Sequence, residues 1–81
     1  MGSNPILANR SGEMLKKGII SNIKGNFAEA FLPDEDNAVT AALPLAKSID
    51  REILRVGDNC VVAFMEADHI NLADGVIIAI Y

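Results

Sequence analysis

The sequence has no tryptophan, one tyrosine, one histidine and one cysteine, and each scarcity excludes something. A lone Cys60 cannot form an intrachain disulfide, and without a cysteine pair a thiolate zinc site cannot start. Set among strand-forming valines, Cys60 reads as a buried, inert thiol. Aromatic residues make up only 5% of the chain, so a core has to come from Ile, Val, Leu, Ala and three Phe. No apolar run approaches the roughly 18 residues that cross a bilayer, and the N-terminus lacks a signal-peptide pattern. Synthesis in the cytoplasm, without a membrane location, is the expectation.

What is present points to a folded domain. Hydrophobic residues reach 51% and charged residues 22%, a balance that argues against disorder. Eighty-one residues make one domain with a modest core; a chain this short buries roughly 60% of the surface it exposes when unfolded. Eleven Asp plus Glu against seven Lys plus Arg give a net charge of −4, which weighs against non-specific binding to phosphates. The basic residues Arg10, Lys16, Lys17 and Lys24 lie early in the chain and read as a solvated face. Acidic residues gather at Asp34, Glu35 and Asp36, and again at Glu66 and Asp68, where a basic partner would be favoured.

Residues 1–13 read as an N-terminal arm, with breakers at Asn4-Pro5, Asn9 and Ser11-Gly12 around the short apolar patch Ile6-Leu7-Ala8. Residues 14–81 form the domain. A first strand is expected over 14–24, a tight hairpin turn at Lys24-Gly25-Asn26, and a second strand over 27–32. In that second strand Phe27, Glu29 and Phe31 share one face, and Ala28, Ala30 and Leu32 the other. Helix competes there because the residues are good helix formers, but Pro33 and the shortness of the segment favour strand. A loop follows over 33–37, then a third strand over 38–43 with Pro44 at an edge, bulge or strand end. Residues 48–56 offer a helical turn or two, with Ser48 as N-cap, or else an irregular crossover, before Gly57-Asp58 opens strand four.

The last two strands carry the strongest pattern. In strand four Cys60, Val62 and Phe64 face one way and Val61, Ala63 and Met65 the other. In strand five Val76, Ile78 and Ile80 oppose Ile77, Ala79 and Tyr81. Neither face is polar, whereas an antiparallel strand of a lone small domain should have a wet side. The second face must be covered by the arm, by the crossover or by another protein. Met65, Ile77, Ala79 and Tyr81 are accordingly the expected outer-face contacts, with loop contacts at Asp34, Glu35, Asp36 and Asn37 and at Asp68 and His69 within 68–71. The fold class implied is mainly β: a small five-stranded barrel of the OB or SH3-like kind, with a short helix or irregular crossover before strand four.

Val56-Gly57-Asp58, Val61-Val62-Ala63-Phe64, a polar loop containing Asp, and Gly75-Val76-Ile77-Ile78 together form a pattern that resembles small β-barrel modules of tailed-phage structural proteins. Those modules are the OB-like barrels of tail-spike and baseplate-hub proteins and the barrels of head–tail joining proteins. Gly18-Ile19-Ile20 is similar to their opening strand, and Leu43-Pro44-Leu45 to the entry into the crossover. The likeness is loose over 16–81 and tightest over 56–80. The chain departs from it in lacking Gly-Asp within residues 66–74 and in carrying Asn59-Cys60 after the turn. The resemblance implies a phage or prophage head, connector or tail component.

Chemistry is sparse. His69 has Asp68 beside it and Asp74 five residues on. Neighbouring side chains of an extended segment point apart, so Asp68 and His69 are no obvious dyad, and the group reads as a solvated loop. The serines and Thr40 have no base at a motif spacing, and no glycine-rich phosphate loop follows a strand. No catalytic, cofactor-binding or metal residue is therefore assigned, and the protein is expected not to be an enzyme. The leading expectation is a structural protein that assembles with copies of itself, and with other phage structural proteins. One alternative is an intracellular adaptor barrel that binds a protein or peptide by edge addition or in a groove. The other is OB-like binding of single-stranded nucleic acid, for which few stacking aromatics and the negative charge are poor support.

Overall fold

The computed structural model describes residues 14–65 and 71–81. Six strands form one antiparallel sheet: β1 (Met14–Lys24), β2 (Phe27–Leu32), β3 (Ala38–Val39), β4 (Leu43–Pro44), β5 (Asn59–Phe64) and β6 (Gly75–Ile80). The order is β3-β2-β1-β5-β6, with β4 also pairing β2. The eleven-residue β1 organises the sheet. Its first half pairs β5 from Met14↔Phe64 to Ile19↔Asn59, and its second half pairs β2 from Ile19↔Phe31 to Lys24↔Phe27. The β1–β2 hairpin closes through Gly25 and Asn26. Gly25 takes φ 62° at the first central position, where a two-residue II′ turn needs glycine.

The core lies on one face. Ile20 of β1, Ala28, Ala30 and Leu32 of β2, Leu43 of β4, Cys60, Val62 and Phe64 of β5, Ile77 of β6 and Leu54 from the crossover are buried together. Met14, Ile23, Leu45, Ile49, Leu72 and Ile80 pack around them. Gly18 is the close-approach point of this face. A Cβ there would lie 2.8 Å from the Phe31 carbonyl oxygen and 2.9 Å from a Leu32 methyl. Burial pushes the Cys60 thiol up from its ordinary 9.0 to about 11, against an opposing hydrogen bond with the Gly18 backbone.

The expected five-stranded OB/SH3-like barrel is not formed. The sheet has six strands and stays open between its β3/β4 end and β6. Across that gap run a bridge between Leu45 and Ile77, with the Ala46 N–H donating to the Ile77 carbonyl at 2.8 Å, and a bond from the Ala41 N–H to the Leu72 carbonyl at 2.9 Å. Two features interrupt the ladder. Pro44, the last residue of β4, has no N–H to give, and the expected third strand breaks in two at Thr40. There the Thr40 N–H donates to the Ala30 carbonyl at 2.9 Å, while the Ala30 N–H donates to the Thr40 hydroxyl at 3.0 Å. The side chain thus replaces one rung of the ladder and the chain peels away until Leu43.

No helix occurs among the described residues. Of the two forms expected for residues 48–56, the irregular crossover is the one adopted. Single turns close from Ile53 N to Asp50 O and from Asp58 N to Arg55 O. Asp50 Oδ1 accepts from Glu52 N, and Asp58 Oδ2 accepts from Arg55 N. Carboxylates that capture nearby N–H groups offer the backbone an alternative to a helix, and here that alternative prevails.

Candidate interaction surface

Burying one face of the sheet leaves the other to be accounted for, and it is apolar. Along β1 the outward residues are Leu15, Lys17, Ile19 and, past the bulge, Asn22 and Lys24; along β2 they are Phe27, Glu29 and Phe31; along β5, Asn59, Val61 and Ala63. The registers assemble them into rows. Val39, Phe31 and Ile19 lie side by side across β3, β2 and β1. Leu15, Ala63 and Val76 do the same across β1, β5 and β6. Lys17, Val61 and Ala79 form the row between. Leu15 keeps 58% of its surface exposed, Phe27 47% and Val39 48%. Cross-strand neighbours sit about 5 Å apart, so these rows make a continuous patch rather than scattered single residues. Its charges are Lys17 and the ion pair of Lys24 with Glu29 at 3.1 Å.

The expected contact residues divide. Met65 and Tyr81 are exposed, the latter with its N–H bonded to the Asn59 carbonyl at 3.0 Å. Ala79 is half-buried, opposite Val61. Ile77 belongs to the core, with none of its surface exposed, so its placement on the outer face is corrected. The cause is a bulge. Pairing passes from Val62↔Ile77 to Val61↔Ala79 and leaves Ile78 extra, which breaks strict alternation. Ile77 thereby points inward although Ala79, two residues on, points outward.

Asp34 and Asp36 are exposed in the β2–β3 turn, where Asp36 and Asn37 hold left-handed φ values of 58° and 60°. Glu35 is half-buried and paired with Lys16 at 2.8 Å, so part of that acidic cluster is spent within the fold. Asp68 and His69 lie outside the described residues, as does the N-terminal arm. Among the described residues no group of three or more His, Cys, Asp or Glu side chains is placed to hold a metal ion. Likewise no helix there is long and apolar enough to cross a membrane.

Leu15, Ile19, Phe27, Phe31, Val39 and Val76 are the surface residues that sequence reasoning did not single out. The split of β2 into a Phe face and an Ala/Leu face was visible. Size alone would have placed the phenylalanines inside, yet Ala28, Ala30 and Leu32 form the buried face and Phe27 stays 47% exposed.

A second feature lies beside β6. A groove of about 350 Å3 runs between the crossover and residues 78–80. Its apolar lining includes Ile49, Ile53 and Leu54, and Ser48, Asp50 and Asp58 supply its polar groups. Comparison of the chain with models of known protein families, with curated proteins and with solved structures finds no match.

Proposed function

We propose that the protein is a non-enzymatic structural subunit that assembles with copies of itself, serving as a head, connector or tail component of a phage or prophage particle. The observation that carries the self-assembly is the outer face. Three cross-strand rows place Leu15, Ile19, Phe31, Val39, Val61, Ala63, Val76 and Ala79 on one largely apolar surface, interrupted by Lys17 between Leu15 and Ile19. Patches of this kind mark surfaces that another protein covers. The phage setting rests on the pattern over residues 56–80 described above and on the small size of the domain. Work of this sort is done by fit and repetition. In a closed ring each copy would repeat one heterologous contact.

Sedimentation across a concentration series tests the reading. A discrete oligomer persisting at low micromolar concentration is expected, and a monomer at every concentration overturns self-assembly. Detection of the native protein in purified particles tests the phage setting separately.

A second reading, an adaptor that takes up a peptide, is favoured by the groove beside β6. It predicts a monomer that binds an extended segment of a different protein.

A further inference from the structure

The outer edge of β6 is open where the groove meets it. Beyond Ile77, which takes the Leu45 bridge, no described strand pairs with that edge. Backbone groups alternate along an antiparallel strand. Tyr81 directs its N–H to β5 and Ala79 pairs with Val61, so Ile80 presents its N–H and carbonyl to the groove. The opposite wall is apolar, and Ile53 keeps 70% of its surface exposed. Such a slot takes an extended segment that pairs its backbone with β6 and sets apolar side chains against Ile53 and Ile49.

The charge at the rim narrows the occupant. Asp50 and Asp58 each use one carboxylate oxygen on a backbone N–H and keep a second acceptor oxygen. The two arginines of the crossover are turned onto backbone carbonyls. Arg51 Nε donates to Gly25 O at 2.5 Å, and Arg55 Nη1 to Glu52 O at 2.9 Å and Leu54 O at 2.8 Å. A symmetric pairing of two such edges would bring acidic rims together, which costs affinity. The segment that fits is extended, apolar and followed by a basic residue.

The chain contains one such segment among the thirteen residues before β1: Ile6-Leu7-Ala8 followed, two positions on, by Arg10. We infer that this arm, contributed by a second copy of the chain, occupies the groove beside β6, with Ile6-Leu7-Ala8 along residues 78–80 and Arg10 on the acidic rim; the inference rests on the self-assembly proposed above. Occupation within one copy is poorly served. Met14 enters the sheet in line with Phe64 and Gly75, at the end of β6 remote from the groove. The near end of the groove, at Ile78, is then about 10 Å along the strands and about 14 Å across them, a diagonal of about 17 Å. Ala8, six residues before Met14, spans that distance only if the linker runs almost fully extended, about 20 Å at most, and residues 45–46 already occupy the edge at Ile77. An arm passed from copy to copy is a heterologous contact of the kind that builds rings.

The test mixes two full-length single variants, Leu7→Cys and Ile53→Cys, under mild oxidation, the native Cys60 being buried. A covalent dimer is expected in the mixture, and much less when Ala73→Cys replaces Ile53→Cys. Adding Arg10→Glu to the Leu7→Cys chain should weaken association about tenfold, a usual scale for reversing one interfacial charge. Asp50→Lys in the partner should restore it. No covalent dimer, equal yield with Ala73→Cys, or a crosslink only within one doubly substituted chain would overturn the inference. Sedimentation separates the two levels. An oligomer whose association Leu7→Glu does not weaken overturns the arm contact and leaves self-assembly through the outer face standing, whereas a monomeric unsubstituted protein overturns both.

Discussion

Thr40 and Ala30 are bonded to each other twice. The Thr40 N–H donates to the Ala30 carbonyl at 2.9 Å, and the Ala30 N–H donates to the Thr40 hydroxyl at 3.0 Å. The hydroxyl in turn donates to the Ala41 carbonyl at 2.7 Å. Thr40 is the one buried polar side chain among the described residues, and it ends β3 while satisfying a buried N–H of β2. Thr40→Val keeps the shape but leaves that N–H without an acceptor. It should cost about 1–3 kcal/mol, read by denaturant unfolding, while Thr40→Ser should cost distinctly less.

Gly18 is where β1 comes closest to the end of β2, its neighbour in the sheet. A methyl group there would meet the Phe31 carbonyl oxygen at 2.8 Å, and backbone cannot yield cheaply. Gly18→Ala should destabilise by about 1–3 kcal/mol through overpacking. Gly57→Ala meets no atom within 4 Å but stands at φ +99°, so its cost would be backbone strain alone. A Gly18→Ala protein as stable as its parent would show that β1 and β2 are not packed as described.

Cys60 ties stability to alkaline pH. Its thiol is raised from 9.0 to about 11 by burial, so the unfolded chain ionises first. Stability from this group is fully present below pH 9.0 and is lost as pH rises toward 11, because the unfolded state binds fewer protons there. The expected result is a fall in unfolding free energy across that window that Cys60→Ala does not show. In the same range, reaction of the native thiol with a disulfide reagent should track unfolding.

Ile77 and Leu15 should part company when substituted. Ile77 is wholly buried, and Ile77→Ala should cost about 2–5 kcal/mol by leaving a cavity. Leu15 is largely exposed, and Leu15→Glu should change monomer stability by no more than about 0.5 kcal/mol. Unfolding curves of the two variants at one protein concentration decide the point.

Much of the sheet is legible in the sequence. The strands over Met14–Lys24 and Phe27–Leu32, the turn at Gly25-Asn26 and the inward set Cys60, Val62 and Phe64 follow from alternation and turn chemistry. The phase of β6 is not, because the bulge at Ile78 depends on how β6 meets β5 and leaves no mark on an all-apolar run. The broken third strand is also hidden, since it depends on Thr40 finding Ala30 ten residues back. A barrel was the natural reading of five short strands; the Leu45–Ile77 bridge shows how far closure goes before Pro44 and the turns of the crossover end it. The outer face was legible as an anomaly, two apolar sides on strands four and five. Its membership was not, because sequence does not say that β2 buries alanines and presents Phe27 and Phe31.

The most direct test of assembly through the outer face is sedimentation of the full-length protein beside Leu15→Glu over the same concentration series. A discrete oligomer at low micromolar concentration for the parent, reduced to a folded monomer by Leu15→Glu, is the predicted result. A parent that remains monomeric at every concentration, or an oligomer that Leu15→Glu leaves intact, would contradict it.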